Sequence, residues 1–249
     1  MTFHKKLQTL WVISHIILAY TLITDFTVLN CIVAFLWCII VNIGTEAGGH
    51  RYFVHRSYKT SKFKERLMLA LQTFSGEGSI LSFCGVHRQH HAFTDTEKDP
   101  HSPVTRNTLS IIYWIDPVNI NPRFVKDWIR DTFVKFQHDY YFAIHIALFA
   151  VISMVFSIST YGYMVALPTV LILYANAATN IIGHKPGTGY RNYHTNDNSV
   201  NQNGLINILL MGGALQNNHH GNPNNYTNKF KESDHDSIGW IIKRFLKHD

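Results

Sequence analysis

The chain has 249 residues, of which 46% are apolar and only 15% are charged, and its formal net charge is +6. An ordinary globular protein carries about 25% charged residues, so we expect much of this surface to contact lipid. A positive charge suits an anionic membrane surface or nucleic acid. The sequence contains no dense run of Lys and Arg, which argues against a nucleic-acid partner.

Four apolar stretches are long enough to cross a hydrocarbon core of about 30 Å at about 1.5 Å per residue. They cover residues 7–24, 26–43, 141–158 and 163–182. Tight turns around Asp25 and in SISTYGY, residues 157–163, pair them into two hairpins. The basic start, MTFHKK, is followed by no A-x-A-like cleavage site, so we expect the first stretch to remain in the membrane.

Both short turns lack Lys and Arg, whereas the N-terminus and the two long segments, 44–140 and 183–249, are basic. The positive-inside rule therefore predicts that both termini and these segments are cytoplasmic. The predicted fold is an all-α membrane protein of one domain, with four transmembrane helices in two hairpins and a cytoplasmic histidine-rich helical part. The apolar stretch Leu67–Val86 is interrupted by SGEGS, and we predict an interfacial or re-entrant helix there.

Sixteen histidines are the unusual feature of the composition, whereas the three cysteines show no CxxC spacing. Four groups of side chains stand out. They are His50 and His55 in GGHRYFVHRSY, His87, His90 and His91 in HRQHH, Asn180 and His184 in NIIGHKPGTGYRNY, and Gln216, His219 and His220 in QNNHHGNP. In the predicted topology, all four groups lie on the cytoplasmic side.

Residues three or four apart share one face of a helix, so the side chains of the second and fourth groups are expected to point together. His50 and His55 are five apart, about 140° around a helix, so we expect them to serve different metals or to lie where the helix ends. Eight histidines exceed the needs of one ion, and imidazole suits zinc, copper, iron and nickel. We therefore predict two metal ions with about four nitrogen ligands each.

The remaining histidines receive less specific interpretations. We expect His101 to support the site without binding metal. His15 and His145, inside apolar stretches, are expected to be packed and hydrogen-bonded. The solvated set is expected to comprise His4, His194, His235 and His248.

These motifs resemble those of the membrane-bound fatty acyl desaturases of the delta-9 type, over residues 26 to about 230. The three boxes of that family, HxxxxH, HxxHH and HxxHH, correspond here to HRYFVH, HRQHH and QNNHH. The flanking segments DTEKDPHS and GYRNYHTNDNS are also similar. The resemblance implies two iron ions held by nine histidines, with an asparagine acting on one iron through water. Asn180 matches that asparagine, whereas Gln216 stands where the third box usually begins with histidine, a change that front-end desaturases tolerate.

The resemblance further implies that the protein introduces a cis double bond into a saturated acyl chain, with dioxygen as co-substrate. The haem-binding HPGG motif of a fused cytochrome domain does not occur in the chain. The two electrons are therefore expected from a separate ferredoxin or cytochrome b5. The segment FCGVHRQHH looks more like the bacterial acyl-lipid enzymes, and both acyl-lipid and acyl-CoA substrates stay open.

In this family the acyl chain enters a bent tunnel, whose far end is closed by side chains of the second span. The resemblance implies Ala34, Trp37, Cys38 and Phe83 as tunnel residues. Small side chains at 34 and 38 predict a deep tunnel, unless Trp37 closes it. The alternative is that these small residues merely let helices pack closely.

Two rival functions remain at this point. A hydroxylase or ketolase on the same scaffold would share every metal ligand. A non-enzymatic membrane protein could carry haem or transport metal ions. Haem carriage needs paired ligands within the bilayer, where only His15 and His145 lie, and transport needs polar residues through the spans, which offer few.

Overall fold

The computed structural model describes residues 1–115 and 119–248. Over these residues the protein is helical, and its strand-like contacts are isolated bridges from Asn201 to Tyr190 and Leu215. The helices are α1 (Phe3–Thr24), α2 (Val28–Ile43), α3 (Lys62–Phe74), α4 (Ile80–Phe93), α5 (Thr108–Tyr113), α6 (Thr132–Val155), α7 (Ile158–Tyr161), α8 (Leu167–Gly183), α9 (Leu205–Leu209), α10 (Gln216–Gly221) and α11 (Ser237–Ile241). Segments Gly44–Val54, Gly162–Ala166 and Ile242–Leu246 are π-helical, and Pro122–Val125 is a 3₁₀ turn. The predicted all-α fold is confirmed.

Four helical segments in the described part of the chain are long and apolar enough to cross a membrane. They are Phe3–Thr24, Val28–Val54, Thr132–Val155 and Ile158–Gly183. Large apolar side chains are exposed along them, including Ile23 at 82% and Met154 at 85%. A helix that faced water would turn such residues towards the core, so this exposure is typical of helices that face lipid.

The third long helix, α6, begins well before the expected residue 141. The carboxylate of Asp131 sets this start, because it accepts hydrogen bonds from the backbone N–H groups of Phe133 (3.0 Å) and Val134 (3.1 Å). Aspartate is among the preferred residues at this position of a helix. The boundary expected from apolar length was wrong because capping, and not apolarity, decides where this helix begins.

The turn between α6 and α7 is shorter than the predicted turn over 157–163. Only Phe156 and Ser157 separate the two helices. The Ser157 hydroxyl accepts a hydrogen bond from the backbone N–H of Thr160 (2.9 Å) and so caps α7. The predicted turn was wrong over Ile158–Tyr161, which is already helical.

The connection between α1 and α2 lies close to the start of the fourth long segment. The hydroxyl of Tyr163 donates a hydrogen bond to the backbone carbonyl of Asp25 (2.7 Å). One turn before Asp25, on α1, Thr21 packs directly on Gly162, where any Cβ atom would collide with the threonine side chain. A glycine at this crossing lets the two helices approach closely, as small residues do between membrane helices.

Helix α2 continues without a break into the π-helical segment Gly44–Val54. Hydrogen bonds in a π-helix join residues five apart, and the N–H of His55 donates to the carbonyl of His50 in this way (3.2 Å). Helix α3 packs tightly against this segment, since a Cβ at Gly48 would lie 2.7 Å from Cβ of Met68. The segment places the first histidine motif at the C-terminal end of the second long apolar segment.

The single helix predicted over Leu67–Val86 is instead two helices, α3 and α4, joined by residues 75–79. Gly76 and Gly78 take positive φ angles of 70° and 87°, which glycine adopts without steric cost. The loop is buried and held by side chains: Trp11 Nε1 donates to the Gly76 carbonyl (2.9 Å), and the Gly78 N–H donates to the Tyr141 hydroxyl (3.1 Å). The break lets α4 take its own direction.

A buried ion pair holds the C-terminal segment against the first histidine motif. The guanidinium of Arg51 donates to both carboxylate oxygens of Asp236, at 2.8 and 2.9 Å. The two side chains are 2% and 0% exposed. Such two-point contacts fix geometry as well as charge, so the segment after α8 is held next to the end of α2.

Candidate metal centre

Five histidines form one cluster, in which the potential ligand nitrogens lie within 4.8 Å of one another. The cluster consists of His50, His55, His87, His91 and His219. Nε2 of His219 lies 3.0 Å from Nε2 of both His50 and His91. Nε2 of His91 lies 3.0 Å from Nε2 of His87. The π-helical segment, α4 and α10 therefore meet at one point.

Three further histidines, His90, His184 and His220, form a second cluster under the same 4.8 Å limit. Nε2 of His184 and Nε2 of His220 are buried and have no hydrogen-bond partner within the described residues. The two clusters are adjacent, because the ring of His91 stacks on the ring of His220 at 4.4 Å between centroids.

The HRQHH and QNNHH motifs each contribute histidines to both clusters. On α4, His87 and His91 enter the five-histidine cluster and His90 enters the three-histidine cluster; on α10, His219 and His220 are divided in the same way. Neighbouring residues of a helix point about 100° apart, so adjacent histidines reach different centres. The structure brings together all eight histidines singled out by the sequence, but as five and three, not as four and four.

His50 and His55 belong to the same cluster, with 5.0 Å between their ring centroids. This shared cluster favours one ion for both rings, and the expectation that they serve different metals gains no support from it and stays a prediction. The alternative expectation is confirmed, because His55 is the residue at which the π-helical segment ends. The wider turn of a π-helix brings residues five apart onto one face, which a regular α-helix would separate.

Asn180 and Gln216 lie beside the clusters and line the same cavity. The amide nitrogen of Asn180 donates to the backbone carbonyl of His101. The amide nitrogen of Gln216 donates to the carbonyl of Gly213 (2.6 Å). With each NH₂ group engaged, the amide oxygen is the atom that remains available to a ligand.

Burial lowers the pKa values of six of the clustered imidazoles. The pKa of His87 and the pKa of His90 lie well below the ordinary value, first because burial disfavours the charged ring and then because neighbouring imidazoles do. The pKa is lowered in the same direction for His55, His91, His219 and His220. Neutral imidazole is the form that binds metal ions.

Carboxylates hold four of these rings, and the sequence analysis assigned no role to them. Each accepts from a ring Nδ1–H, which leaves Nε2 as the free donor atom. The pairs are His50 with Glu46 (3.0 Å), His90 with Asp99 (2.9 Å), His184 with Asp95 (3.2 Å) and His220 with Asp197 (3.1 Å). The three aspartates lie in the segments that flank the motifs, DTEKDPHS and GYRNYHTNDNS, so their signal was present in the sequence.

The three aspartates differ in their pKa shifts. Burial by itself would raise the pKa of Asp197, but hydrogen bonding and charge from His220 bring it below its usual range. Burial would also raise the pKa of Asp95, but hydrogen bonding and charge from His184 lower it. Burial dominates at Asp99, whose pKa is raised to about 7.

The chemistry of this donor set fits a pair of iron ions. Imidazole suits iron among the transition metals, and nitrogens bound to one ion at about 2.1 Å lie at most about 4.2 Å apart, close to the spread seen here. Nε2 of His55, His184 and His220 are buried polar atoms without a partner in the described chain. Such atoms are rare in proteins unless something binds them.

A cavity of about 90 Å³ borders both clusters. Its apolar wall comprises Phe83, Ile111, Ile112, Trp114 and Leu173. Glu77, from the loop between α3 and α4, is part of its polar wall and is only 3% exposed. Burial raises the pKa of Glu77 to about 7, and its carboxylate accepts a hydrogen bond from Asn176. Sequence reasoning treated this glutamate only as an interruption of an apolar stretch.

One of the four predicted tunnel residues, Phe83, lines this cavity. Ala34 and Cys38 are buried on α2, and Cys38 packs in an apolar cluster between α2 and α8. Trp37 Nε1 donates to the carbonyl of Met164 (2.7 Å), which fixes the indole. A tunnel that reaches these three residues stays a prediction.

His101 lies beside the second cluster, with its ring centroid 4.5 Å from that of His90, and its backbone N–H donates to Asp99 (3.0 Å). With His90 and Asp99 it also forms a third group of side chains that could hold a metal ion, so its expected role as a supporting residue that does not bind metal stays a prediction. The exposed set comprises His194, His235 and His248, as predicted. The expected exposure of His4 is wrong, because its ring is half-buried against the carbonyl of Trp114.

The histidines within the spans are packed. Both ring nitrogens of His15 are hydrogen-bonded, to the carbonyl of Trp11 (2.7 Å) and the hydroxyl of Tyr174 (3.1 Å). His145 is 3% exposed and packs beside Tyr141, but neither of its ring nitrogens has a hydrogen-bond partner in the described part of the chain, so its expected hydrogen bonding is not found. Haem carriage within the bilayer would need two free rings, and both nitrogens of His15 are already bonded.

A family model described as fatty acid desaturase matches residues 26–234. The sn-1 stearoyl-lipid 9-desaturase of Anabaena variabilis is 31% identical over 189 residues, which cover 74% of this chain and 68% of that protein. Delta-9 acyl-lipid desaturase 2 of Arabidopsis thaliana is 29% identical over 227 residues, 86% and 71% of the two chains. An acyl-CoA 5-desaturase of Anemone leveillei is 29% identical over 194 residues, 74% and 59% of the two chains.

Proposed function

This chain belongs to the fatty acid desaturase family, and from that premise we propose that it introduces a cis double bond at the delta-9 position of a saturated acyl chain. The observation that carries the proposal is the convergence of eight histidines, as five and three, beside a cavity with an apolar wall that His50, His87 and His90 help to line. Desaturation removes two hydrogens from unactivated methylene groups, whose C–H bonds are not acidic. Acid–base side chains do not perform this reaction, so a redox cofactor must.

The two clusters are the sites that would bind two iron ions, with Asn180 and Gln216 adjoining them. Iron bound there would supply the oxidising chemistry, with dioxygen as co-substrate and two electrons from outside. The protein keeps the imidazoles neutral by burial and holds four rings through Nδ1. Carboxylates at that position raise ligand basicity and fix ring orientation.

The apolar wall of the cavity would align the alkyl chain and exclude water from it. Phe83 on α4 and Leu173 on α8 contribute to this lining, together with Ile111 and Ile112 from α5. Each methylene buried there contributes about 0.8 kcal/mol. An extended chain therefore gains affinity from its length, while the polar end stays outside.

An acyl-lipid is the favoured substrate. Gly85 precedes the second box, and a Cβ at this position would lie 2.6 Å from Ile120, so the fold has no space for a charged side chain there. Animal acyl-CoA enzymes tend to carry charged residues at this point, as the resemblance implies. Two of the relatives are named for lipid-bound acyl chains, which supports the same choice.

The clusters and both termini are proposed to face the cytoplasm, where a ferredoxin or cytochrome b5 would deliver electrons. The hydroxyl of Thr60 donates to the carbonyl of Leu246 (2.6 Å), so the C-terminal end lies beside the segment that follows the first motif. Exposed basic residues from both segments lie nearby in sequence. They are Lys59, Lys62, Lys243 and Arg244. A basic surface of this kind suits an acidic carrier.

Expression in cells supplied with saturated fatty acids, followed by mass spectrometry that locates double bonds, tests the proposal. A new monounsaturated acid with its double bond after carbon nine is the expected product. A hydroxy or keto acid would instead identify the rival reaction on the same scaffold. An unchanged fatty-acid profile from well-expressed, iron-loaded protein would reject both. The inactive control is His90→Ala, and the active control is His194→Ala.

A further inference from the structure

The carboxylates that hold the imidazoles are unevenly divided between the two clusters. Every ring of the three-histidine cluster has its own aspartate. The pairs are His90 with Asp99 (2.9 Å), His184 with Asp95 (3.2 Å) and His220 with Asp197 (3.1 Å). In the five-histidine cluster, only His50 is paired with a carboxylate, that of Glu46 (3.0 Å), within residues 1–115 and 119–248.

The side chain of Asp99 is buried, those of Asp95 and Asp197 are largely covered, and all three carboxylates accept hydrogen bonds from backbone N–H groups. Their side chains are 0%, 6% and 11% exposed for Asp99, Asp95 and Asp197. Asp95 accepts from the N–H of Asn198 (2.7 Å), and Asp197 accepts from the N–H of Ser199 (2.9 Å). Asp99 accepts from the N–H of Asp95 (2.9 Å).

This division has a physical consequence for any ion held there. A carboxylate that accepts the Nδ1 proton increases the electron donation from Nε2 of the same ring. Asp95 and Asp197 place two negative charges around one position, where Asp99 adds a third hydrogen-bonding carboxyl group, and Glu46 places one negative charge around the other. Buried charge acts strongly at short range. The two extra imidazoles of the five-histidine cluster do not offset this difference in negative charge, because neutral rings add no charge.

We propose that the three aspartates make the two metal positions electronically unequal, so that the ion at His90, His184 and His220 has the lower reduction potential of the pair. This inference rests on the proposed di-iron function. Asp95, Asp99 and Asp197 are then positioning residues that act on the metal through the imidazoles.

The test uses purified full-length protein loaded with isotopically enriched iron, followed by Mössbauer spectroscopy during a potentiometric titration. Asp197→Asn and Asp95→Asn keep the shape of the side chain and remove its charge. Glu46→Gln makes the matched change at the five-histidine cluster. Asp139→Asn, on the exposed surface of α6, is the control that should leave both signals unchanged.

The wild-type protein should show two iron signals. The ion at the three-histidine cluster should stay oxidised down to a more negative potential than the other ion. Asp197→Asn and Asp95→Asn should shift that signal alone to a more positive potential, and Glu46→Gln should shift only the other. If an aspartate variant loses iron, loss of one ion with the second signal unchanged also supports the inference. Two equal signals, or variants from both clusters that shift the same signal, would overturn it. A wild-type protein that binds fewer than two iron ions would instead contradict the proposed function.

Discussion

Nε2 of His50 and Nε2 of His219 lie 3.0 Å apart, although 169 positions separate the two residues in the chain. Both residues are buried, at 6% and 2% exposure. Two protonated rings could not occupy these positions together, because like charges repel strongly at this distance in a buried site. The two facing Nε2 atoms are close enough to bind the same cation.

His90→Ala should abolish desaturation and lower the iron content of the purified protein. His90 is 2% exposed, and its ring is one of only three in the second cluster, so its loss removes a third of the imidazole ligands there. Iron per chain and product formation should be measured together. His194→Ala, at an exposed position, should retain both. A fully active His90→Ala enzyme with normal iron content would refute the role of this residue as a ligand.

Gln216 should be tolerated, so that the natural protein is active when supplied with iron and reductant. Its side chain packs on Gly183, next to His184, and its amide nitrogen is held by the carbonyl of Gly213, so the fold is built around this glutamine. Gln216→His should increase iron retention against a chelator, since imidazole is a stronger ligand for iron than an amide. An enzyme that forms product only after this substitution would show that the natural protein is a degenerate homologue.

Ala34→Trp should shorten the preferred acyl chain by several carbons without lowering the iron content. Ala34 is 4% exposed, and a bulky side chain there would block a tunnel that extends along α2 beyond Phe83. Competition between saturated chains of different length measures the preference. Overpacking costs about 1–3 kcal/mol, so iron content and unfolding temperature must be checked first. An unchanged preference in a stable, iron-loaded variant would place position 34 outside the tunnel.

The metal-free protein should lose stability as the pH falls through about 6.5, the ordinary pKa of histidine. The pKa values of His55, His87, His90, His91 and His219 are lowered in the folded state. The unfolded chain therefore binds more protons than the folded one below this pH, and the free energy of unfolding decreases. The raised pKa values of Asp99 and Glu77, both about 7, act in the opposite direction but involve only two groups.

Thermal unfolding of chelator-treated protein in detergent checks this pH dependence. The midpoint should be lower at about pH 5.5 than at about pH 7.5. Protein with bound metal should resist acid over a wider range, because the ion competes with protons for the same nitrogens. A midpoint that rises on acidification would contradict the predicted sign.

Asp236→Ala should destabilise the protein by about 3–5 kcal/mol, the usual cost of leaving one partner of a buried ion pair alone. The partner, Arg51, lies next to His50 and is 1% exposed, so the variant should also lower iron retention. Chemical unfolding and iron content are the measurements. Glu232→Ala removes the ion pair with Lys229, in which the glutamate is fully exposed, and should change little. Equal stability of the two variants would show that the Arg51–Asp236 pair is not important.

Local patterns in the sequence predicted the helical membrane architecture and the set of histidines. Apolar length is a property of a continuous stretch, and it identified all four long apolar helices. The third and fourth begin at other residues than expected, because Asp131 and Ser157 cap their N-terminal ends. The spacing in HRQHH and QNNHH is also local, because neighbouring turns of one helix carry the side chains. Orientation in the membrane was predicted from charge alone and stays a prediction.

Only the tertiary structure decided how those histidines are divided. The five-and-three grouping depends on the π-helical turn between His50 and His55 and on the angles at which α4 and α10 meet, and neither is encoded in the spacing of a motif. The aspartates that hold His184 and His220 come from distant or flanking loops, so their partners become visible only after packing. The loop of Gly76 and Gly78 likewise places Glu77 in the cavity wall, because backbone direction at positive φ, and not apolarity, determines where α4 begins.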